Sequence, residues 1–400
     1  MWTETVIALR FLRQGRAQTL LILFGITVGV AVIVFVTALI SGLQANVIQR
    51  TLGTQAHIRI SAPDQENRIA PAPPGTLHLI LEDRRAQVLR TILNWPQVLA
   101  VLDHTPDIVA VSPIVSGPAL ARRGQAVKSV ALIGVDLPRY QRIIPLDRNL
   151  VAGRLDVASG NALIGSELAR ELGLRPGGKL RLDAGDGREA VVNVAGIFEL
   201  GVRDLDARYV YLDLKQAQSL LGLPGGVTVI DVTVRELFSA NRTAARLRGL
   251  TGLKAESWME TNAQLMNALS SQSMSTRMIS LFVALSVALG IASVLAVSVT
   301  QRTREIGILR AMGARRQQML RVFLVQGAVL GLIGSLFGAL AGLGLVAAFN
   351  TFGPKLFYIP LPPALIPAAM VLATLAGVVA AAVPASRAAR LDPVEAIRHV

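Results

Sequence analysis

Four stretches of the chain carry no Asp, Glu, Lys or Arg: the 33 residues between Arg16 and Arg50, the 24 from Met278 to Gln301, the 33 from Val322 to Pro354 and the 31 from Leu356 to Ser386. A bilayer core about 30 Å thick takes about 20 apolar residues in a helix, so each stretch is long enough to cross. The spacing predicts membrane helices over 19–43, 278–300, 322–349 and 364–383. Four uncharged stretches of this length speak against helices buried in the core of a soluble protein. The first follows Arg10, Arg13 and Arg16, as a signal peptide's core would. Its apolar run is too long for one, however, and no small-x-small cleavage site follows cleanly, so it reads as an uncleaved anchor.

Composition agrees. Only 16% of residues are charged while the net charge is +14, which excludes a disordered, highly solvated chain. It also speaks against a soluble nucleic-acid binder, which combines basicity with many charges. There is no cysteine, so disulfides, cysteine metal sites and thiol catalysis are excluded.

Short loops set the orientation. Arg10, Arg13 and Arg16 precede the first helix; six Arg lie in 301–321; Arg387, Arg390 and Arg398 follow the last helix; the 350–363 loop has only Lys355. The positive-inside rule puts the first three segments in the cytoplasm and the last outside. Both termini are then cytoplasmic, and the long segment 44–277 is outside. That segment alternates short strands (57–61, 108–115, 119–123, 127–134, 162–164, 179–183, 190–198, 208–212, 227–234) with short helices (82–94, 166–172, 214–221, 239–250). The pattern predicts one α+β domain of two intimately joined lobes, inserted between the first and second membrane helices. Residues 262–277 are polar, lack Pro and Gly and run into the second span, while the first helix continues through Ile48. Both extensions read as a stalk.

No catalytic or metal motif survives inspection. Gly173 to Lys179 matches a phosphate-binding loop until Leu180 replaces the required Ser or Thr, and it follows a helix rather than a strand. Gly342-x-Gly344-x-x-Ala347 lies inside a membrane helix. His57, His78, His104 and His399 show no ligand spacing. None of the spans holds an ionisable residue, which disfavours an ion-driven transporter. The third span carries Gly327, Gly331, Gly334, Gly338 and Gly342, glycines that let another helix approach closely, within a bundle or across a dimer.

The 301–321 connection is long enough for about two helical turns. Glu305, Ile308, Leu309 and Met312 fall at i, i+3, i+4 and i+7 on one face. Their apolar groups would rest in lipid headgroups or dock in a groove of a partner protein; composition leaves these even.

This segment (Arg302-Thr-Arg-Glu-Ile-Gly-Ile-Leu-Arg-Ala-Met-Gly-Ala314), Ala8-Leu-Arg-Phe-Leu-Arg13 before Gly25-Ile-Thr-Val-Gly29, and the ending from Pro384 to Arg398 resemble permease subunits of the MacB/FtsX/Lol-type superfamily of ABC transporters. Ala162 to Leu174 adds to the likeness, which covers essentially the whole chain. The nearest branch is the lipoprotein-releasing (LolC/LolE-like) permeases, through Ser41-Gly42-Leu43, Leu52-Gly53 and Val325 to Gly334. The resemblance implies an α-helical membrane protein of the bacterial inner membrane, with a cytoplasmic amphipathic segment 1–18, a periplasmic domain with stalk 44–277, a coupling loop 301–321 and a tail 384–400. It carries coupling to an ATPase onto Glu305, Gly307, Ile308, Leu309, Arg310, Met312 and Gly313. A short tail helix, capped by Asp392 with Pro393 and Glu395 in its first turn, gives a second cytoplasmic contact.

The chain has no ATP-binding motif, so an ATPase dimer on another polypeptide would bind ATP and Mg, and a second permease, identical or a sister, would complete the assembly. The first function implied is mechanotransmission that extracts a lipoprotein or other lipid-anchored molecule, admitted sideways past Val28, Val32, Phe35 and Leu39 of the first span. The alternatives are adaptor-dependent export of a small molecule or peptide, and a non-transporting cell-division regulator. The likeness departs at Arg181 to Ala190, a tight turn where carrier-recruiting relatives have a protruding hairpin. No nucleic acid is expected as a partner.

Overall fold

The computed structural model describes residues 2–14, 16–63, 90–185, 187–353 and 357–390. They form two compact units, one of Met1–Ile48 with Asn267–Val400 and one of Gln49–Met266. The tail residues Asp392, Pro393 and Glu395 lie outside the described residues.

The first unit is helical. α1 (Trp2–Gln14) leads to α2 (Arg16–Leu52), and the chain returns to this unit through a 39-residue helix, Ala263–Gln301. A nine-residue helix, Thr303–Ala311, joins that to Arg316–Phe352, and Leu365–Arg390 closes the unit. Four of these helices are long and apolar enough to cross a membrane. They overrun the charge-free segments because helical backbone satisfies its own hydrogen bonds and need not stop where the charges begin.

The second unit begins with β1 (Ile58–Ser61) and continues through α3 (Trp95–Asp103), β2 (Ile108–Arg123), β3 (Ala126–Val135), α4 (Leu137–Tyr140), β4 (Leu150–Gly153), β5 (Asn161–Gly165) and α5 (Ser166–Glu171). Then come β6 (Lys179–Asp183), β7 (Glu189–Phe198), α6 (Arg203–Asp206), β8 (Tyr209–Asp213), α7 (Leu214–Leu221), β9 (Val229–Val234), α8 (Ala240–Thr251), β10 (Lys254–Ser257) and α9 (Trp258–Thr261). The helices of the first unit that follow are α10 (Ala263–Gln301), α11 (Thr303–Ala311), α12 (Arg316–Phe352) and α13 (Leu365–Arg390).

The ten strands of the described residues belong to one sheet. β2, β3, β8, β5, β7 and β6 pair in succession and β6 returns to β2, so six strands close on themselves. β9, β1 and β10 extend from the first half of β2 as an open wing. The sheet thus has a closed ring and an open wing that share β2.

Sequence reading breaks β2 at Ser116-Gly117-Pro118, whereas it runs unbroken for 16 residues. β9 pairs with β2 only to Ile114 and β6 begins at Leu120, so Pro118 sits where β2 has a neighbour on one side alone, the β3 side. A missing N–H is tolerated at such a half-paired position.

Most of the helix expected over 82–94 lies outside the described residues. Its end is not helical: Ile92 makes an isolated bridge to Val227, and α3 starts at Trp95. β4 and β10, each four residues, are not among the strands read from sequence.

Candidate functional site

The Arg302–Ala314 motif forms α11, and its faces differ from the expected ones. Ile306 is fully buried and Gly307 is buried, while Leu309 packs against the same cluster: Ala8 and Phe11 of α1, Val299 of α10, Met319, Val322 and Phe323 of α12, and Ala385, Ala388 and Ala389 of α13. Glu305 and Ile308 are exposed and Met312, just past the helix, is 78% exposed. The face expected to unite Glu305, Ile308, Leu309 and Met312 is thus divided: Leu309 turns inward with Ile306, and the other three stay open. Period alone did not reveal the anchor, because Ile306 and Leu309 also stand three apart. Gly313 ends the segment at φ +100, a left-handed turn that favours glycine. Ala314 N–H then donates to Leu309 O at 3.1 Å. Arg310 is half-buried.

α1 is fixed to this cluster by Arg302. Its guanidinium donates to Phe11 O at 2.8 Å and Gln14 Oε1 at 3.0 Å and lies 4.6 Å above the Phe11 ring. Phe11 in turn stacks, tilted, on Phe323 at 6.4 Å. α1 and α11 therefore share one apolar core with the ends of three spans.

The glycines of α12 meet two partners on one face. A methyl at Gly327 would come within 2.5 Å of Gly377 O, and one at Gly331 within 2.9 Å of Ala373 O, both on α13. At Gly334, Gly338 and Gly342 it would meet Ile26, Val30 and Val34 of α2 within 2.6–2.9 Å. All these contacts are with helices of the same chain.

Between α2 and α10 lies an apolar groove of about 690 Å³. Gly25, Val28, Gly29 and Val32 form one wall, and Phe282, Val283, Val287, Gly290 and Val294 contribute the other. Of the four first-span residues singled out, Val28 and Val32 line it. Phe35 and Leu39 instead pack with Ala38, Val346 and Ile359; Phe35 meets Phe349 edge-on at 6.5 Å. The chain after α12 accounts for this: Asn350 exchanges hydrogen bonds with the backbone of Ile359 (3.2 and 3.0 Å), which is fully buried close to Gly42. α2 and α10 are also tied beyond the groove, where Gln44 Nε2 donates to Ser273 Oγ at 3.0 Å and Leu269 O at 3.2 Å. The α10 wall was missed because an apolar membrane helix shows no period that separates a lipid face from a groove.

In the sheet unit, Asp231 of β9 stands directly across from Arg59 of β1 and Ser112 of β2. Its side chain is 2% exposed and receives Arg59 Nε at 3.2 Å. Burial raises the Asp231 carboxyl pKa above the ordinary value, against the opposing pull of Arg59. Beside it the Tyr140 and Tyr211 hydroxyls lie 3.2 Å apart; burial pushes both pKa values up. The β6–β7 connection is a tight turn, with Ala184 N–H donating to Arg188 O at 3.0 Å and Arg188 N–H to Gly185 O at 3.0 Å. The phosphate-loop decoy is plain turn structure: Gly173 and Gly177 have positive φ between α5 and β6.

Comparison with known proteins adds the family. Residues 19–250 match the family model of the MacB-like periplasmic core domain, and residues 277–393 that of the FtsX-like permease C-terminal. The chain is 26% identical to lipoprotein-releasing system transmembrane protein LolC of Xylella fastidiosa (strain Temecula1 / ATCC 700964), covering 99% of this chain and 98% of that one. It is 28% identical to macrolide export ATP-binding/permease protein MacB of Agrobacterium fabrum (strain C58 / ATCC 33970), covering 96% of this chain but 58% of that one. The crystal structure of the periplasmic region of MacB from Actinobacillus actinomycetemcomitans covers 55% of this chain at 16% identity and a TM-score of 0.36.

Proposed function

Because the chain belongs to the MacB/FtsX/Lol-type family of ABC transporter permeases, we propose that it converts the work of a separate ATPase dimer into movement of an outer domain that frees a lipoprotein or other lipid-anchored molecule. The observation that carries the reading is α11. It is anchored by Ile306 and Leu309 to a core shared with α1 and the span ends, while Glu305, Ile308 and Met312 remain open beside it. A docked ATPase would cover Ile308 and Met312 beside Glu305, and a push there would reach α1, α10, α12 and α13 at once. In this reading ATP and Mg belong to the ATPase, a second permease faces this one, both termini and α11 are cytoplasmic, and 44–277 is periplasmic.

The groove between α2 and α10 supports a lipid-anchored substrate, since its walls are apolar and Val28 and Val32 are open to it. The direct test uses the complex purified with its ATPase. Glu305→Arg and Met312→Asp are expected to leave the chain folded but break the link between ATP hydrolysis and substrate release. A substituted complex that still couples normally would refute the assignment of α11. Val28→Asn with Val32→Asn should leave lipoproteins in the inner membrane; unchanged sorting would sink the substrate.

The short β6–β7 connection favours a second reading, export through a periplasmic adaptor, because Ala184 and Arg188 are already joined by a backbone hydrogen bond where carrier-recruiting permeases have a protruding hairpin. Co-purification of an adaptor without acylated protein decides for it.

A further inference from the structure

Where α1, α2, α10 and α12 come together, the side chains leave a small cavity of about 10 Å³. Its wall is unlike the rest of the membrane unit. Gln326 of α12, Ser298 of α10, and Gln18 and Thr19 of α2 all reach it, with Arg302 and Phe11 at its border. Gln326 is 3% exposed, and among the described residues its Oε1 has no hydrogen-bond partner. The surrounding donors are mostly engaged. Thr19 donates to Leu12 O at 3.0 Å, Arg302 to Phe11 O and Gln14, and Gln18 to Gln301 at 3.3 Å.

A buried carbonyl without a partner costs free energy that an apolar side chain of the same shape would not. The cavity is close to the smallest that holds one water, and a water needs two to four polar partners. Gln326 Oε1, the Ser298 hydroxyl, the Gln18 amide and the Thr19 oxygen supply that number. We propose that this is an internal water site, in which one water donates to Gln326 Oε1 and bridges α12 to α2 and α10. Such a water gives these helices hydrogen bonds that are exchanged without breaking a direct side-chain pair. Nothing in the assignment depends on the transported substrate or on the partner ATPase.

Radiolytic hydroxyl labelling of the full chain in lipid nanodiscs tests it, because that reaction marks side chains beside bound water. Phe11 is only 6% exposed, so its ring should be labelled through the internal site, and Gln326→Leu should lower that labelling several-fold. Gln326→Leu should also bring no gain in Tm, since the carbonyl it removes is already satisfied. A clear rise in Tm, or Phe11 labelling that is absent or indifferent to the substitution, would show a dry cavity and overturn the site. Should Gln326→Leu fail to fold, a density map of the unsubstituted chain at about 2 Å decides directly: a peak between Gln326 and Ser298 supports the site, and its absence removes it.

Discussion

The membrane unit and the sheet unit hold their interiors together by different means: the first sets a row of glycines along one helix, the second only scattered ones. In the membrane unit, α12 presents glycines to α13 and α2, and nothing larger than a hydrogen fits at the closest points. In the sheet unit, glycines serve turns, as Gly124 (φ +58) between β2 and β3 and Gly222 (φ +68) at the end of α7, and otherwise isolated close approaches, as Gly134 of β3 against Ala217 and Gly165 of β5 against Asp206. Its interior is filled by alternating large residues such as Leu132, Leu180, Val194 and Leu212, and it buries a carboxylate, Asp231, against Arg59. Water explains the difference. Between lipid-bathed helices there is no hydrophobic driving force, so close backbone approach must supply the attraction. In the sheet unit burial from water supplies it, and one paired charge is tolerated.

The largest effect should follow from enlarging α12. Gly338→Leu would drive a side chain into Val30 and the Thr27 carbonyl, where even a methyl comes within 2.6 and 2.8 Å. A loss of about 3 kcal/mol, the upper end for such overpacking, is expected, seen as a lowered thermal transition or aggregation in detergent. Gly344→Leu, on the same helix but with open space around it, should change little. Equal effects at both positions would break the comparison, since the glycines would then matter only as weak helix formers.

The sheet unit should respond most to losing a charge partner. Arg59→Met leaves the Asp231 carboxylate buried and uncompensated. We expect a loss of about 2–3 kcal/mol, below the value for a fully enclosed pair because the Arg59 side chain is 56% exposed. Adding Asp231→Leu to Arg59→Met should recover most of it in chemical denaturation of the full chain. No recovery would mean that the two residues matter separately and that the pair is not the unit of stability.

How much of this was visible beforehand tracks the same division. The four membrane helices were legible because exclusion of charge from hydrocarbon leaves a mark of about 20 residues. The glycine row was legible too, though not which helices it meets: Gly331 and Gly334 are three apart in sequence yet contact α13 and α2. Most strands were readable from alternation, but the closed ring was not, since β2 meets β6 across more than 50 residues of chain. At α11 the motif identified the segment, and packing alone decided that Ile306 faces inward and Met312 outward. Asp231 gave no signal beyond a carboxylate within an apolar strand.

Acidity offers a finer probe of the same residue. The folded Asp231 carboxyl has its pKa raised, with burial outweighing Arg59. The folded chain then holds this proton to higher pH than the unfolded chain does. Its contribution is therefore fully present below the ordinary carboxylate range and is lost as pH rises through that range to the raised folded value. Asp231→Asn removes the titration, so Tm of the variant minus Tm of the parent should increase with pH across this window. A constant difference would show that the carboxyl titrates alike in both states.

The smallest effect should come from an ion pair of good geometry in the wrong place. Arg139 donates to both carboxylate oxygens of Asp103 at 3.1–3.2 Å, yet each side chain is 37% exposed. Water competes for both groups, and holding two long side chains still offsets much of the attraction, so the pair should contribute about 0.5 kcal/mol. Arg139→Ala, measured by the denaturation midpoint of the full chain, should lose no more than that, and added salt should shrink the loss further. Arg59–Asp231 has a single bond of 3.2 Å and Arg139–Asp103 has three of similar length. If the exposed pair nevertheless proves the more costly to break, the number of contacts rather than burial governs charge pairing in the sheet unit.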